Sequence, residues 1–374
     1  MKFLFLSALI TLSACSSHNN RSPDSLQIPV ETLARLKKLY PDQSESFIIE
    51  RFLNADSALM KWRSFPPYYY EMVDRLKSQF PQQKNFFAQS GLCAGDAHLE
   101  NFGFLYRPDK KDAIFSINDL DDVSTCPLFS DALRLLVGHK IVSPSLSTEE
   151  WLTAYKDGIA GKRYVVPGAL DELQADSLKK KTEPSKKYRK MFEAKKCDGE
   201  FATMNAKEKK TLDSYLIGQG LKYSYACMRT KDSGGSAGLS RFVVEAFDGA
   251  DTKLTFELKP LAKPSPLYNQ SGTNRLDSLK DGINKFWGED FARYYYPVIL
   301  DGVSYLRRPV WGGNAGVAAD ELTSSGLIEV SIFEAHKLGT LHAKSRGDFS
   351  ALKSSDLEKI RVVIEETWKK EMNE

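Results

Sequence analysis

The stretch Gly91–Asp122, GLCAGDAHLENFGFLYRPDKKDAIFSINDLDD, decides the fold and concentrates acidic and amide side chains more than any other part of the chain. Two short aromatic and β-branched runs, 102–106 and 113–117, flank Pro-Asp-Lys-Lys, which is typical of a hairpin and its turn. Asn101 precedes the first run, and Asp119 follows the second. Pairing of the runs would make these side chains cross-strand neighbours, with backbones roughly 5 Å apart.

A third acidic side chain, Asp96, lies five residues before Asn101. Two oxygen ligands near a third carboxylate suit a hard cation such as Mg²⁺, which shares its remaining coordination positions with water and substrate phosphates. The alternative is that Asp96, Asn101 and Asp119 are turn residues at the ends of an ordinary hairpin. The paired strand ends, together with a second motif, favour the metal site.

The spacing Asp-x-x-x-x-Asn, followed by a strand that ends in Asp, resembles the catalytic and metal-binding loops of protein kinases and related phosphotransferases. In that family the first Asp orients or deprotonates the acceptor hydroxyl, and the Asn and the later Asp hold metal ions against the phosphates. The resemblance implies that Asp96 is catalytic and that Asn101 and Asp119 are metal ligands. Asp121 and Asp122 are further candidate ligands.

The second motif consists of three β-rich runs, 221–229, 239–247 and 252–259. A glycine-rich turn at 233–238 joins the first two runs, and an Asp-Gly pair joins the last two. Glycines let backbone amides wrap phosphate oxygens. Lys259 ends the third run and projects from the face opposite to its leucine and phenylalanine side chains.

This order of strands, glycine turn and terminal lysine is similar to the small lobe of protein kinases, where the lysine grips the α and β phosphates. The resemblance implies phosphate or nucleotide binding by Gly235, Ser236, Gly238 and Lys259. Arg308, in a predicted strand over 305–309, is expected to reach the same cleft. The alternative is a tight hairpin with an exposed lysine.

Two histidines are candidate phosphate or proton-transfer partners. His98 lies inside the acidic stretch and is predicted to be catalytic with Asp96. His342 lies in a helix predicted over 328–343. The alternative for each is a hydrogen-bonded structural histidine.

The acidic stretch precedes the glycine turn, which reverses the order in an ordinary kinase and predicts a permuted chain. Over roughly 66–345 the chain resembles a bacterial family known only as domain of unknown function 2252, through GDAHLENFGF, INDLDD, the glycine turn with LTFELK, RRP and LGTLHAKS. Its proteins are regarded as kinase-like. The resemblance implies an α+β, two-lobed, permuted protein-kinase-like fold with a small antiparallel sheet lobe and a mainly helical lobe. Two positions depart from the pattern of these families. Ala94 stands where many phosphotransferases have His, and Leu120-Asp121 stands where kinases have Phe-Gly after the metal-binding Asp.

The predicted organisation follows from these motifs and from breaks in apolar periodicity. The segments are a signal peptide (1–14), a lipidated Cys with a polar tether (15–28), a kinase-like unit (29–345) and a C-terminal helix (346–374). Within the unit we expect the acidic hairpin lobe (29–165), a basic linker (166–212), the glycine-loop sheet lobe (213–267) and a helical remainder (268–345). Apolar spacing predicts helices over 30–39, 44–61, 70–80, 129–142, 276–286, 290–300, 328–343 and 357–372.

The first fifteen residues resemble a bacterial lipoprotein signal. Lys2 is followed by an apolar run over 3–12, too short to span a bilayer, and then by Leu12-Ser13-Ala14-Cys15. In such proteins the peptidase cuts before the cysteine, which is then acylated, and several acyl chains give durable anchoring. This predicts a mature protein that begins at Cys15 on an envelope membrane, facing the periplasm or the surface. The alternative is a plain signal peptide with an incidental cysteine.

Four further cysteines, Cys93, Cys126, Cys197 and Cys227, form an even number in an exported and oxidising setting. They allow three full pairings. A Cys93–Cys126 bridge would clamp the acidic hairpin and leave Cys197–Cys227 as the complementary pair. Buried free thiols are the alternative, and the spacing resembles no zinc site.

Composition limits the choice of function. The chain has 374 residues and a formal charge of +3, which is too small to indicate nucleic-acid binding. The leading hypothesis is a lipid-anchored envelope protein that binds a phosphate-bearing ligand with Mg²⁺ and transfers a phosphoryl or nucleotidyl group. Because the envelope holds little nucleotide triphosphate, either the donor is another phosphate compound or the site only binds. The alternatives are a non-catalytic, pseudokinase-type lipoprotein and a metal-dependent phosphoesterase.

Overall fold

The computed structural model describes residues 28–230, 238–270, 275–345 and 347–373. The predicted signal peptide, Cys15, Gly235 and Ser236 lie outside the described residues. Helices and strands are mixed in the described ranges, so the α+β class is confirmed. No helix in these ranges is long and apolar enough to cross a membrane.

Thirteen α-helices are present in the part of the chain that the structure describes. They are α1 (Val30–Leu39), α2 (Glu45–Leu53), α3 (Ala58–Ser64), α4 (Pro66–Leu76), α5 (Lys84–Ala88), α6 (Leu128–Val142), α7 (Thr148–Ile159), α8 (Asp171–Lys180), α9 (Lys186–Ala194), α10 (Ala206–Gly218), α11 (Arg275–Gly282), α12 (Ser324–Ala343) and α13 (Ser354–Met372). A π-helical turn, Ile283–Trp287, follows α11.

The described strands form three antiparallel sheets. They are β1 (Ser90–Cys93), β2 (Phe102–Arg107), β3 (Asp112–Ile117), β4 (Ser124–Pro127), β5 (Phe201–Ala202), β6 (Lys222–Arg229), β7 (Arg241–Phe247), β8 (Lys253–Pro260), β9 (Tyr296–Leu300), β10 (Val303–Pro309) and β11 (Ala315–Gly316). Their orders are β1-β4, β11-β2-β3 and β5-β6-β7-β8-β10-β9.

The predicted acidic hairpin is confirmed. Strands β2 and β3 pair in the register that sets Phe102 opposite Ile117, and the Asn118 amide donates to the Asn101 carbonyl at 2.9 Å. On either side of the hairpin, β1 and β4 pair with each other and are joined by the disulfide Cys93–Cys126. The acidic segment is therefore held at both ends by strand pairing and by a covalent bond.

The six-stranded sheet contains the three predicted β-rich runs. A row across β6, β7, β8 and β10 aligns Cys227, Val243, Glu257 and Arg308 on one face. The opposite face packs its apolar side chains, including Leu258, against α10. This alternation places Lys259 and Glu257 together on the first face, as the sequence predicts.

Three predicted helices differ from the observed elements. The segment 290–300 is a short 3-10 helix followed by β9, because Pro297, Val298 and Ile299 favour an edge strand over a helix. The segment 44–61 is divided between α2 and α3, and the Ser57 hydroxyl accepts from the Met60 amide to start the second helix. The third, predicted over 70–80, begins at Pro66, because proline suits the first helical turn.

Helices α7 and α12 approach closely through two glycines. An added Cβ at Gly158 would lie 2.0 Å from the His336 carbonyl oxygen, and one at Gly339 would lie 2.0 Å from the Tyr155 carbonyl oxygen. Contacts this short force a backbone to move. The packing of these helices therefore depends on the absence of side chains at both positions.

We expect Gly339→Ala to lower the free energy of unfolding by about 1–3 kcal/mol, the usual cost of overpacking. Urea unfolding monitored by tryptophan fluorescence measures the change. Gly218→Ala at the end of α10 is the matched control, because nothing lies within 4 Å of its Cβ position. Equal stability of the two variants would show that the helix contact is not tight.

Candidate functional site

The loop that carries Asp96 is held by hydrogen bonds to the side chain of Asp131, a residue of α6. The Asp131 carboxylate accepts from the Ala94 amide at 2.8 Å and from the Gly95 amide at 3.0 Å. Gly95 has φ +82°, and a Cβ there would lie 2.0 Å from the Asp122 carbonyl oxygen. Only glycine fits this turn, which brings the loop against the segment that follows the hairpin.

His342 belongs to this buried support and not to the cavity. It is fully buried, with Nε2 3.1 Å from the Asp131 carboxylate and Nδ1 2.7 Å from the Tyr155 hydroxyl. The Tyr70 hydroxyl donates to Asp131 at 3.1 Å. Of the two interpretations of His342, the structure supports the hydrogen-bonded structural histidine over the phosphate or proton-transfer partner, because both ring nitrogens bind buried protein groups.

Asp96 faces the cavity and forms an ion pair with Arg134 of α6. The Arg134 Nε donates to Asp96 at 3.0 Å, and the guanidinium lies 5.2 Å from the ring centroids of Trp62 and Tyr69. Burial raises the pKa of Asp96 to about 6, although the Arg134 charge acts in the opposite direction. A carboxyl with this pKa is ionised near neutral pH and is suited to accept a proton.

His98 lies beside Asp96, with its Nε2 3.7 Å from an Asp96 oxygen. Its Nδ1 is buried without a hydrogen-bond partner among the described residues. Burial, with the positive charges of Arg63 and Arg134, lowers the pKa of His98 well below its usual value. The imidazole is therefore neutral at physiological pH.

Asn101 connects the two halves of the acidic segment. Its Nδ2 donates to the Asp96 carbonyl at 3.0 Å and lies 3.5 Å from the Asp119 carbonyl. Since the amide nitrogen faces main-chain oxygens, the side-chain oxygen is the atom of Asn101 that suits a cation.

Lys259 meets the acidic segment directly, although 140 residues separate it from Asp119. Its Nζ lies 2.6 Å from Asp119 Oδ2 and also contacts an Asp121 oxygen. Only 2% of Lys259 is exposed, so the ammonium is held inside the site. Arg308 adds a second cation, with Nη1 3.5 Å from Asp119 Oδ1. Two regions distant in sequence thus form one charged centre.

The two carboxyls beside Lys259 titrate differently. Burial works against ionisation of Asp119, but the charges of Lys259 and Arg308 lower the pKa of Asp119 below its usual value. Burial and the neighbouring Asp119 charge raise the pKa of Asp121 to about 6. Two close carboxylates of this kind are stabilised by any further cation that enters.

The donor set fits Mg²⁺. One oxygen of each carboxyl, Asp119 Oδ1 and Asp121 Oδ1, is buried and accepts no hydrogen bond among the described residues, although Asp119 Oδ1 lies in the ion pair with Arg308. With Asn101 these oxygens form a small, hard set of the kind that Mg²⁺ takes. No group of three or more His, Cys, Asp or Glu side chains in the described ranges is arranged to hold a metal ion. The candidate site therefore has two carboxylates and one amide.

Asp122, a reserve ligand in the sequence analysis, has another contact. Its Oδ1 accepts from the Ser265 amide at 2.7 Å and from the Ser265 hydroxyl at 2.6 Å. These bonds attach the acidic segment to the chain that follows β8, which helps to keep Lys259 over Asp119.

Three arginines near the site are not found by sequence reasoning. Arg275 donates to the Asp121 carbonyl, and its Nε and Nη1 are buried without a partner in the described ranges. Arg241, one strand from Lys259, lies 3.3 Å from Glu257, and Arg63 contacts Glu100. Only Arg241 carries a signal, because it lies two residues before Val243 on β7 and therefore shares the sheet face of Val243.

The phosphate-binding residues predicted in the glycine turn are only partly described. Gly238 has φ +77°, and a Cβ there would lie 2.9 Å from the Phe47 ring. The next residue, Leu239, lines the cavity beside Lys259. Gly235 and Ser236 lie outside the described residues.

Two adjoining cavities meet at Asp119. The first, which we call the acidic cavity, has a volume of about 120 Å³ and contains Asp96, His98, Asp121 and Lys259 in its walls. The second, which we call the polar pocket, has about 300 Å³ and reaches from Asp119 past Arg308 to Trp311. Both include Arg63, Asn101 and Asp119. A ligand at Asp119 therefore has access to both spaces.

Comparison with known families gives one match. A family described as "Uncharacterized protein conserved in bacteria (DUF2252)" matches residues 79–153. The matched segment contains the acidic hairpin and α6, with Asp96, Asn101 and Asp119, and it supports the resemblance to that family. Neither the curated proteins nor the solved structures give a match to the chain.

Proposed function

We propose that the chain binds a phosphate-bearing ligand together with Mg²⁺ at Asp119 and Lys259, and that it transfers a phosphoryl or nucleotidyl group. The fold in this proposal is a permuted, two-lobed, protein-kinase-like arrangement. One observation carries it: the Lys259 ammonium lies 2.6 Å from Asp119, the residue that the kinase resemblance assigns to the metal. Phosphoryl transfer depends mainly on positioning and charge, and this centre offers both.

Each residue has a role in this proposal. Asn101, Asp119 and Asp121 would hold Mg²⁺, which when bound supplies positive charge against the phosphate oxygens. Lys259 binds phosphate oxygens from the sheet side. Arg308 and Arg275 add positive charge at opposite edges of the centre. Asp96, with its pKa of about 6, takes the proton of an acceptor hydroxyl or orients that hydroxyl.

Thermal unfolding with added phosphate compounds tests the proposal. Inorganic pyrophosphate, ADP and ATP are added with and without Mg²⁺ to the purified, oxidised mature protein. A compound at one hundred times its dissociation constant stabilises the folded state by about 2.7 kcal/mol. We expect Mg²⁺-dependent stabilisation by at least one compound and its loss in Asp119→Ala. Stabilisation that is unchanged in Asp119→Ala would remove the metal assignment.

A non-catalytic binding function is the second candidate, and the ion pair between Asp96 and Arg134 favours it. A guanidinium that holds one Asp96 oxygen weakens that carboxylate as a base. Turnover that is lost in Asp96→Asn, with ligand binding retained, indicates an enzyme. Binding without turnover in the parent protein indicates a pseudokinase-type lipoprotein, and phosphate release from simple esters indicates a phosphoesterase.

The raised pKa of Asp121 predicts a pH-dependent metal affinity. Mg²⁺ requires ionised carboxylates, and burial with the neighbouring Asp119 charge raises the pKa of Asp121, so that this carboxyl stays protonated to a higher pH than an ordinary aspartate. The affinity should therefore fall by up to about tenfold per pH unit below this pKa and level off above it. Calorimetric titration with Mg²⁺ over a pH series measures it. Asp121→Asn should bind more weakly and lose this dependence, and an unchanged profile in that variant would assign the titration elsewhere.

We propose further that the protein is anchored to an envelope membrane through acylated Cys15. The disulfides Cys93–Cys126 and Cys197–Cys227 support an oxidising compartment. Cys15→Ser is expected to move the protein from the membrane fraction to the soluble fraction of cells, because the acylated residue is lost. Fractionation followed by immunoblotting measures this shift. Ser16→Ala is the matched control, and retention of Cys15→Ser in the membrane fraction would contradict the anchor.

A further inference from the structure

Helix α9 covers the sheet on the side where Lys259 lies. Its Tyr188, Met191 and Phe192 are buried against Cys227 and Val243, which are themselves fully buried. Cys227 and Val243 belong to the row that continues through Glu257 to Arg308. The sheet face next to the Lys259 centre is therefore occupied by the protein itself, by a helix that lies wholly within the segment 166–212 predicted to be a basic linker.

This cover is fixed by several independent contacts. The disulfide Cys197–Cys227 joins the chain just after α9 to β6, with Cα atoms 5.8 Å apart. At the other end of the helix, the Ser185 amide donates to the Val310 carbonyl at 3.0 Å, and Pro184 forms an isolated bridge with Trp311. In between, the Tyr188 hydroxyl donates to Glu257 at 3.1 Å.

Glu257 makes the covered face strongly charged. It is 1% exposed and contacts Arg308 at 2.6 Å and Arg241 at 3.3 Å. A flat nucleobase would have to displace the side chains of α9 to reach these groups. The face therefore offers a base no space.

The space that remains on this side of Asp119 is the polar pocket of about 300 Å³. Its walls combine amides, hydroxyls and charged groups with one indole, and they include Asn118, Asn314, Ser185, Tyr295 and Trp311. The Ser185 hydroxyl makes no capping bond to α9. Asn314 and the Asn118 Nδ2 already bind protein groups. The ligand would therefore use the Ser185 hydroxyl, the Asn118 Oδ1 and the Arg308 guanidinium beside the Trp311 ring. Such a set suits a small group with several hydroxyls, because each hydroxyl both donates and accepts.

We propose that the organic part of the ligand is a compact hydroxylated group, such as a sugar or polyol, which lies in the polar pocket, and that α9 excludes a nucleobase from the sheet face beside that pocket. This inference rests on the proposed function, since the phosphate of the same ligand lies at Lys259. The apolar groove on the other side of Lys259, which Gly238 and Leu239 line, is separate from the polar pocket and has no part in the proposal.

Calorimetric titration with matched phosphate compounds tests the proposal. The probes, each used with Mg²⁺, are inorganic phosphate, pyrophosphate, glycerol 3-phosphate, glucose 1-phosphate, glucose 6-phosphate, ribose 5-phosphate and AMP. Ribose 5-phosphate and AMP differ by the adenine alone. We expect at least one sugar or polyol phosphate to bind about tenfold tighter than inorganic phosphate, a gain of about 1.4 kcal/mol. AMP should bind no tighter than ribose 5-phosphate.

Two variants test whether the tighter binding of a sugar or polyol phosphate, relative to inorganic phosphate, comes from the polar pocket. Trp311→Ala and, independently, Ser185→Ala should reduce the ratio of sugar-phosphate affinity to inorganic-phosphate affinity. Thermal unfolding of each variant shows that it is folded. The proposal is overturned if AMP binds tenfold tighter than ribose 5-phosphate, if no sugar or polyol phosphate exceeds inorganic phosphate, or if both folded variants keep the parent ratio. A different outcome, in which no probe binds in a Lys259-dependent way, removes the proposed function itself.

Discussion

Lys259→Met is expected to abolish Mg²⁺-dependent stabilisation by phosphate compounds and to destabilise the folded protein. The variant removes the ammonium that contacts Asp119 and Asp121 but keeps an unbranched side chain of similar length. The two carboxylates are then left facing each other without this cation. Removal of one partner from a fully buried ion pair costs about 3–5 kcal/mol. Because 28% of the Asp119 side chain is exposed, we expect a smaller loss, on the order of 2 kcal/mol.

Mg²⁺ should restore part of this lost stability, because it binds the same two carboxylates. Urea unfolding of Lys259→Met with and without Mg²⁺ measures the effect. Lys253→Met is the matched control: it removes the same charge from the same strand, and the Lys253 side chain is 52% exposed in its pair with Glu245. If both variants have the parent's stability and ligand response, the centre at Lys259 has no functional part.

The second large effect is expected for Asp131→Asn. The parent carboxylate accepts from two amides of the Asp96 loop, from the Tyr70 hydroxyl and from His342. The substituted amide places an NH₂ group against some of these donors and leaves them unsatisfied, at about 1–3 kcal/mol for each group. We therefore expect the free energy of unfolding to fall by about 3 kcal/mol or more.

Urea unfolding measures this change, and titration with pyrophosphate and Mg²⁺ shows whether the loop still holds Asp96 in place. Asp176→Asn is a control with the same chemical change on an exposed face of α8, where Asp176 pairs with Lys180 of the next helical turn. We expect little change in that variant. Comparable losses in both would indicate that Asp131 does not anchor the loop.

Local patterns predicted the elements of the site well. The alternation of apolar and polar residues gave the hairpin β2–β3 and placed Lys259 on one face of β8 with Glu257. Both depend on a period of two and on turn residues nearby in sequence. The contact between Lys259 and Asp119 was expected from the kinase resemblance, since strand periodicity does not determine which distant segments meet.

Tertiary contacts account for the parts that sequence did not predict. Asp131 and Arg134 are three residues apart on α6, a spacing that allows the two side chains to pair with each other. Each instead contacts the loop above, Asp131 through amides and Arg134 through Asp96, because buried polar groups take the partners that satisfy them best. Arg275 reaches a carbonyl 154 residues away, and no local pattern carries that information.

Because a disulfide helps to hold α9 on the sheet, we expect ligand binding to depend on whether the two disulfides of the chain have formed. Both cystine bonds form only in an oxidising compartment. A nascent chain, or one kept in a reducing compartment, therefore lacks the Cys197–Cys227 disulfide that joins the end of α9 to β6. Ligand selectivity would then be acquired only when both disulfides have formed, and material refolded under thiol-reducing conditions would discriminate less between phosphate compounds than the oxidised form.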